Sequence, residues 1–60
     1  MNDNLPDDPI LLLSVVNTKL RDFYKDLDTL CIEMSIDKEM LTEKLADIDY
    51  KYDIERNQFV

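Results

Sequence analysis

The sequence predicts a mainly α domain: three helices, of which the second and third form a helix-turn-helix-like pair, and a wing-like C-terminal β-hairpin. Three observations support this fold class. Apolar residues recur at helical spacing in three segments before residue 49. An aspartate precedes each of these segments, as is common at helix N-caps. From residue 50 onward, aromatic and charged residues alternate as they do in a strand.

Helix 1 is predicted over residues 9–23, after a flexible N-terminal tail that covers residues 1–8. Asp8 can accept a backbone N–H of the first turn, and Pro9 suits the first helical position because an N–H there has no helical partner. At about 100° per residue, most apolar side chains fall in one wide arc, which is the expected core face. These residues are Ile10, Leu12, Leu13, Val16, Leu20, Phe23 and Tyr24.

Two shorter helices follow over residues 27–34 and 38–48, with Asp26 and Asp37 as their expected caps. Each helix has an apolar stripe along one face. The stripes consist of Leu27, Leu30, Cys31 and Met34 in helix 2, and of Leu41, Leu45 and Ile48 in helix 3. Apolar residues at this spacing pack the two helices of a helix-turn-helix motif together, so we expect that geometry here.

The hairpin is expected within residues 50–60. Tyr50 and Tyr52 alternate with charged residues, a polar stretch follows over residues 54–57, and Phe59 lies in the second strand. Such turns often need one residue in the left-handed conformation, and the chain contains no Gly. Asn57 is the best candidate for that position. Residues 9–60 are therefore predicted to form a single domain.

The composition restricts the chemistry of the protein. The chain has 14 acidic and 7 basic residues, a net charge of −7 that repels nucleic acid and anionic membranes. It contains no His and one Cys, so it cannot form a Ser-His-Asp triad, a Cys/His zinc site or an intrachain disulfide. We expect Cys31 to be a buried packing residue. The sequence predicts no enzyme activity, no cofactor and no metal.

The N-terminal segment shows no pattern of export or membrane insertion. It is acidic, and the longest apolar run covers only residues 10–13. A single cysteine in a chain without an export signal is typical of a reducing compartment. We therefore expect a cytoplasmic protein.

Three apolar residues face away from the core stripes of their own helices: Leu11, Val15 and Ile32. Apolar residues that adjoin on a surface mark interfaces, and small chains without disulfides often depend on a partner for stability. One interpretation is an interface with a second copy or another protein. The alternative is that the tail or the hairpin covers them.

Several short strings between residues 8 and 60 point to one family. They are Asp8-Pro9, Leu12-Leu13-Ser14, residues 17–22 (Asn-Thr-Lys-Leu-Arg-Asp), Leu27-Asp28-x-Leu30-Cys31, Tyr50-x-Tyr52-Asp53 and Asn57-Gln58-Phe59-Val60. On these residues the chain resembles a family of short uncharacterised bacterial proteins, a domain of unknown function with a helix-turn-helix-like core. The resemblance implies no activity, substrate or cofactor. It implies Gly in the turn between helices 2 and 3 and just before Tyr50, where this chain has Ser35 and Asp49.

Helix 1 also carries polar residues beyond what packing requires: Asn17, Lys19, Arg21 and Asp22. They could form a polar recognition strip. Alternatively, Asn17 and Arg21 tie helix 1 to a neighbouring loop or to the acids of the hairpin. Both interpretations remain open on the sequence alone.

The function that the sequence favours is a non-catalytic protein–protein interaction module or a homodimer. The alternatives are a helix-turn-helix DNA-binding regulator and an acidic nucleic-acid mimic that binds a basic protein. DNA recognition requires basic residues on the second helix of the motif. The expected exposed face of helix 3 is mostly acidic, with Lys38, Glu39, Thr42, Glu43 and Asp47. We therefore expect a protein partner rather than nucleic acid, a membrane or a small molecule.

Overall fold

The computed structural model describes residues 5–60. Helix α1 spans Pro9–Asp22, α2 spans Leu27–Met34 and α3 spans Lys38–Ala46. Strands β1, Tyr52–Asp53, and β2, Gln58–Phe59, form an antiparallel hairpin. The predicted fold class, three helices followed by a C-terminal hairpin, is confirmed.

An aspartate side chain begins each helix, as predicted. The carboxylates of Asp8, Asp26 and Asp37 accept backbone N–H groups of the first turn, at 2.9, 2.7 and 3.0 Å respectively. These N–H groups have no partner within the helix, so the caps satisfy donors that would otherwise depend on water. Pro9 occupies the start of α1.

The core lies where the three helices and β2 meet. Its buried members are Leu12, Val16, Leu20, Leu27, Leu30, Cys31, Leu41, Leu45 and Phe59. Two residues predicted for the core face of helix 1 are instead exposed, Ile10 at 59% and Phe23 at 71%. Ile10 lies in the first turn and Phe23 lies just beyond the last, so the helix extends past the elements that cover its middle. Leu13, Tyr24, Met34 and Ile48 are partly buried against the core.

Helices α2 and α3 end in the same way. One residue at each end is left-handed: Ser35, with φ 56°, and Asp49, with φ 67°. The N–H of the next residue, Ile36 or Tyr50, donates to the carbonyl oxygen five residues earlier, at 2.9 Å in both cases. This is the Schellman arrangement, in which the left-handed residue is usually Gly. Ser35 and Asp49 are the two positions at which the family resemblance implies Gly.

Two predicted helix ends were wrong by one or two residues. Helix 1 was expected to include Phe23, but α1 ends at Asp22 and Phe23 leaves the helix with φ −126°. Helix 3 was expected to reach residue 48, but α3 ends at Ala46. The turn that leads to the left-handed Asp49 begins there, and apolar spacing alone does not reveal it.

The hairpin has the predicted turn. Tyr52 pairs with Phe59 and Asp53 with Gln58, and residues 54–57 connect the strands. Asn57 is left-handed, with φ 53°, as predicted. The rings of Tyr52 and Phe59 lie 5.6 Å apart, so the hairpin presents an aromatic pair with Phe59 inside the core.

The predicted flexible tail, residues 1–8, lies partly outside the described residues. Of its described part, Leu5 packs against the core, and the backbone carbonyl of Asp7 accepts from the Lys44 ammonium at 3.1 Å. No helix within residues 5–60 combines the length and the apolar character needed to cross a membrane.

Candidate functional site

A groove lies between α1 and the hairpin. Its volume is about 470 Å³, and its lining comes from two stretches of chain, residues 14–21 and residues 56–58. Apart from Leu20, the lining side chains are polar or positively charged. A polar lining favours a polar ligand, since apolar ligands need apolar walls.

Asn17 fixes one wall of this groove. Its Nδ2 donates to the carbonyl oxygen of Phe59 at 3.1 Å, and the N–H of Phe59 donates to its Oδ1 at 2.8 Å. The amide side chain thus bonds β2 on the side away from β1, in the manner of a neighbouring strand. The interpretation that Asn17 ties helix 1 to the hairpin agrees with these contacts.

Asn57 fixes the opposite wall. Its Nδ2 donates to the carbonyl oxygens of Leu20 and Tyr24, at 3.1 and 3.0 Å. The hydroxyl of Tyr52 donates to its Oδ1 at 2.6 Å. Carbonyl oxygens at the end of a helix have no helical donor, so Asn57 caps the C-terminal end of α1 across the groove. The sequence indicated the left-handed backbone of Asn57 but not these side-chain bonds.

Arg21 and Arg56 bring two positive charges to the groove. Arg21 forms a bidentate pair with the adjacent Asp22, with Nε and Nη2 each 3.0 Å from a carboxylate oxygen. This pair raises the pKa of Arg21 and lowers the pKa of Asp22, chiefly through the side-chain hydrogen bonds. Arg56 Nε lies 3.8 Å from Asp53 Oδ2, beyond hydrogen-bond distance. The acid that Arg21 contacts is therefore its neighbour and not an acid of the hairpin.

The four residues of the predicted polar strip separate in the structure. Asn17 and Arg21 line the groove, whereas the carboxylate of Asp22 is paired with the guanidinium of Arg21. The ammonium of Lys19 lies 5.7 Å from the centre of the Phe23 ring, in a cation–π contact. A recognition role for the whole strip stays a prediction, and the structure brings only two of its members to the groove.

The predicted apolar interface residues are on two helices. Leu11 on α1 and Ile32 on α2 are exposed, at 57% and 75%, whereas Val15 is partly buried. Ile10 and Met40 are further exposed apolar side chains, and Ile10 was expected in the core. Helical spacing had indicated the direction of Leu11 correctly, but it gave no signal that the first turn of α1 would be uncovered.

The family assignment rests on nearly the whole domain. The family described as Domain of unknown function (DUF4250) matches residues 6–59. The chain belongs to this family. No curated protein and no solved structure matches it. The predicted resemblance to a domain of unknown function is thus confirmed over nearly the whole DUF4250 domain.

Cys31 packs inside this DUF4250 domain. It is 5% exposed, and burial raises the pKa of its thiol. A thiol with a raised pKa is a poor nucleophile at neutral pH, because the thiolate is the reactive form. The prediction that Cys31 is a packing residue is confirmed by its burial.

The outer face of α3 offers little positive charge to DNA. Lys38 Nζ lies 2.7 Å from Asp28 Oδ1, and Lys44 Nζ lies 3.7 Å from Asp7 Oδ1. Glu39 and Glu43 are exposed on the same helix. The DNA-binding alternative gains no support from this face, since phosphate contacts require accessible Lys and Arg.

Proposed function

We propose that this DUF4250 domain is a non-catalytic protein–protein interaction module that buries an apolar row of α1 against a second protein chain. The row consists of Leu11 and Val15, four residues apart and therefore neighbours on the helix surface, with Ile10 beside it. The observation that supports the proposal is the exposure of Ile10 and Leu11, at 59% and 57%, although the helix buries Leu12, Val16 and Leu20 elsewhere.

The first candidate for the second chain is another copy, which would make the protein a homodimer. A net charge of −7 opposes self-association, and salt screens this repulsion. A homodimer is therefore expected to tighten as salt is raised. A complex with a basic protein would respond in the opposite direction, because salt weakens attraction between unlike charges. The salt response distinguishes the two forms of the proposal.

We further propose a cytoplasmic location and no catalytic role. The single cysteine is buried and unpaired, which suits a reducing compartment. The chain contains no His, and its thiol has a raised pKa, so the usual nucleophile and base pairs are not provided by these residues.

The test is the molar mass in solution, measured by size-exclusion chromatography with light scattering over a concentration series at low and high salt. The proposal in its homodimer form expects a mass that rises towards twice that of the chain. Leu11→Asp and Val15→Asp should restore the monomer mass. Ile54→Asp is the matched control: Ile54 is 78% exposed in the hairpin turn, so it receives the same charge at another surface.

A monomer mass at every concentration and salt would reject the homodimer. Equal loss of association in the Ile54 control would reject the α1 row as the interface. For a basic partner, cross-linking in cell extract should yield one discrete product that Leu11→Asp abolishes and Ile54→Asp retains. If Leu11→Asp retains that product, the α1 row is not the interface with such a partner either.

A further inference from the structure

We infer that the groove between α1 and the hairpin binds a small molecule carrying a phosphate group. This inference goes beyond the proposed function, because it concerns a different surface and a different class of ligand. The groups that would contact the phosphate are the guanidinium groups of Arg21 and Arg56, the hydroxyls of Ser14 and Thr18, and the amide of Gln58.

The sign of the charge at the groove is opposite to that of the protein. The whole chain has twice as many acidic as basic residues, 14 against 7. The described residues that line the groove nevertheless include Arg21 and Arg56 and no Asp or Glu. Each guanidinium has a carboxylate beside it, Asp22 for Arg21 and Asp53 for Arg56, but neither carboxylate lines the groove. The groove surface itself therefore favours an anion more than the acidic remainder of the described surface does.

The two guanidinium groups retain donors for a ligand. Within residues 5–60, Arg21 bonds Asp22 through Nε and Nη2, which leaves Nη1 without a hydrogen bond. The Nε atom of Arg56 lies 3.8 Å from Asp53 Oδ2, and the Arg56 side chain is 68% exposed. Exposed ion pairs of this kind contribute little to stability, so a doubly charged phosphate can compete with the aspartates for both side chains. Arginine also matches phosphate oxygens in a bidentate geometry.

Neutral donors complete the phosphate site. Ser14, Thr18 and Arg21 follow one another at intervals of four and three residues, which places them on one face of α1. The side-chain hydroxyls of Ser14 and Thr18 and the side-chain amide of Gln58 make no hydrogen bond to another described residue, unlike the neighbouring Asn17 and Asn57. Hydroxyl and amide groups donate to phosphate oxygens that the arginines leave uncovered.

The groove is also preformed. Three hydrogen bonds of Asn17 and Asn57 join α1 to the hairpin, and a fourth joins the hairpin to Tyr24 just after α1, at 2.8 to 3.1 Å. The two walls are therefore held together before a ligand arrives. A fixed site loses less conformational freedom on binding. The volume of about 470 Å³ is larger than a free phosphate requires and falls among those of small-molecule sites. This size favours a phosphorylated molecule over the free ion.

The experiment is an NMR titration of the labelled protein with inorganic phosphate and, separately, with ribose 5-phosphate, at constant ionic strength. Saturable shifts of the backbone amides of Thr18, Arg21 and Gln58 are expected, with ribose 5-phosphate binding more tightly. Shifts that never saturate, or that spread over all surface amides, would show an adventitious ionic effect only and would overturn the inference. If inorganic phosphate binds more tightly than ribose 5-phosphate, the inference that the ligand is a phosphorylated small molecule is overturned.

Charge-matched variants test the two arginines. Arg21→Gln and Arg56→Gln should each weaken ribose 5-phosphate about tenfold, the usual effect of losing a charged hydrogen bond. Lys25→Gln and Lys51→Gln remove the same charge from exposed residues outside the groove, and a change of about twofold or less is expected. Equal losses of affinity in the arginine and lysine variants would overturn the proposed site, because only the net charge of the protein would then matter.

A gain of affinity provides a test that misfolding cannot imitate. Asp22→Asn removes the charge and one of the two oxygens that hold Nε and Nη2 of Arg21, which frees at least one of these nitrogens for the ligand. Binding should therefore tighten by more than removal of one negative charge explains. Asp47→Asn removes the same charge from an exposed position at the end of α3 and serves as the control. If the two variants bind equally, Arg21 does not contact the ligand and the inference fails.

Discussion

The hairpin and the α2–α3 pair are attached to the rest of the domain by different kinds of contact. The helix pair supplies five buried side chains to the core, Leu27, Leu30, Cys31, Leu41 and Leu45. The hairpin supplies one, Phe59, with Tyr52 partly buried against the core, and four hydrogen bonds of the Asn17 and Asn57 side chains also join it to the rest of the domain. Apolar burial therefore attaches the helix pair, whereas the hairpin depends on directed polar bonds as well.

This difference has a consequence for stability. Apolar burial stabilises the folded state by about 25 cal/mol per Å² and does not depend on direction. A hydrogen bond depends on one partner, so its whole contribution is lost when that partner is removed. We expect core substitutions in the helix pair to unfold the whole domain. Substitutions of the two asparagines are expected to release the hairpin first.

The largest expected effect is that of Leu30→Ala. Leu30 is 0% exposed, and replacing a buried leucine by alanine typically costs about 2–5 kcal/mol. A domain of this size has little stability in reserve, so much of the population should unfold in water. The free energy of unfolding is measured by urea unfolding monitored by circular dichroism. Ile32→Ala on the same helix is the control, because Ile32 is 75% exposed and a change within about 0.5 kcal/mol is expected. Equal effects would mean that α2 is not packed as described.

A smaller effect is expected for Asn17→Ala. The substitution removes both bonds to the backbone of Phe59, whose partly buried N–H and carbonyl then have no side-chain partner, at a cost of about 1–3 kcal/mol. The amide of Phe59 should exchange with deuterium much faster, while amides of α2 and α3 are less affected. Thr18→Ala, at the exposed neighbouring position, should leave the stability and the exchange rate of the Phe59 amide unchanged. Uniform acceleration over all elements would contradict the separate attachment of the hairpin.

The ends of α2 and α3 provide a prediction of opposite sign. Ser35 and Asp49 are left-handed, a conformation that costs a residue with a side chain about 1–2 kcal/mol and that Gly adopts without this cost. Part of that gain is lost, because Gly has more conformational entropy in the unfolded chain, equivalent to about 0.5–1 kcal/mol. Ser35→Gly and Asp49→Gly should each stabilise the domain by about 0.5–1 kcal/mol in thermal unfolding. Ser14→Gly, the same change within α1, should destabilise it by a similar amount. Destabilisation by Ser35→Gly would show that the serine side chain contributes more than its backbone loses.

The smallest expected effect is on the loss of stability at low pH, through the N-cap residue Asp26. Hydrogen bonds from the side chain and the backbone N–H of Thr29 lower the pKa of Asp26. A pKa lower in the folded state means that the stabilisation is present above the unfolded pKa and is lost as pH falls through the folded pKa. Asp26→Asn keeps a good cap but does not titrate, so the stability of this variant should fall less than that of the original chain as the pH is lowered below about 5. Parallel pH profiles from urea unfolding would contradict a role for the charge at this cap.

The elements that depend on apolar spacing and local capping were predictable from the sequence. Asp8, Asp26 and Asp37 mark helix starts because their hydrogen bonds span only a few residues. The left-handed Asn57 was predictable because the turn needs such a residue and the chain has no Gly. These features involve neighbours in the sequence, so the residue types alone indicate them.

The groove was less predictable. Asn17 bonds Phe59 across 42 residues and Asn57 bonds Leu20 across 37, and no periodicity connects such positions. The exposure of Ile10 and Phe23 was missed for a related reason. Helical spacing gives the direction of a side chain but not the length of the neighbouring element that would cover it.

The bonds between Asn17 and Phe59 also bear on solubility. A hairpin has two outer edges, and an open edge can pair with a strand of another molecule and start aggregation. The amide of Asn17 occupies the N–H and the carbonyl that β2 presents at Phe59, so an incoming strand finds no partner there. A single side chain on a helix thus protects the outer edge of β2 at Phe59 from pairing with a strand of another molecule.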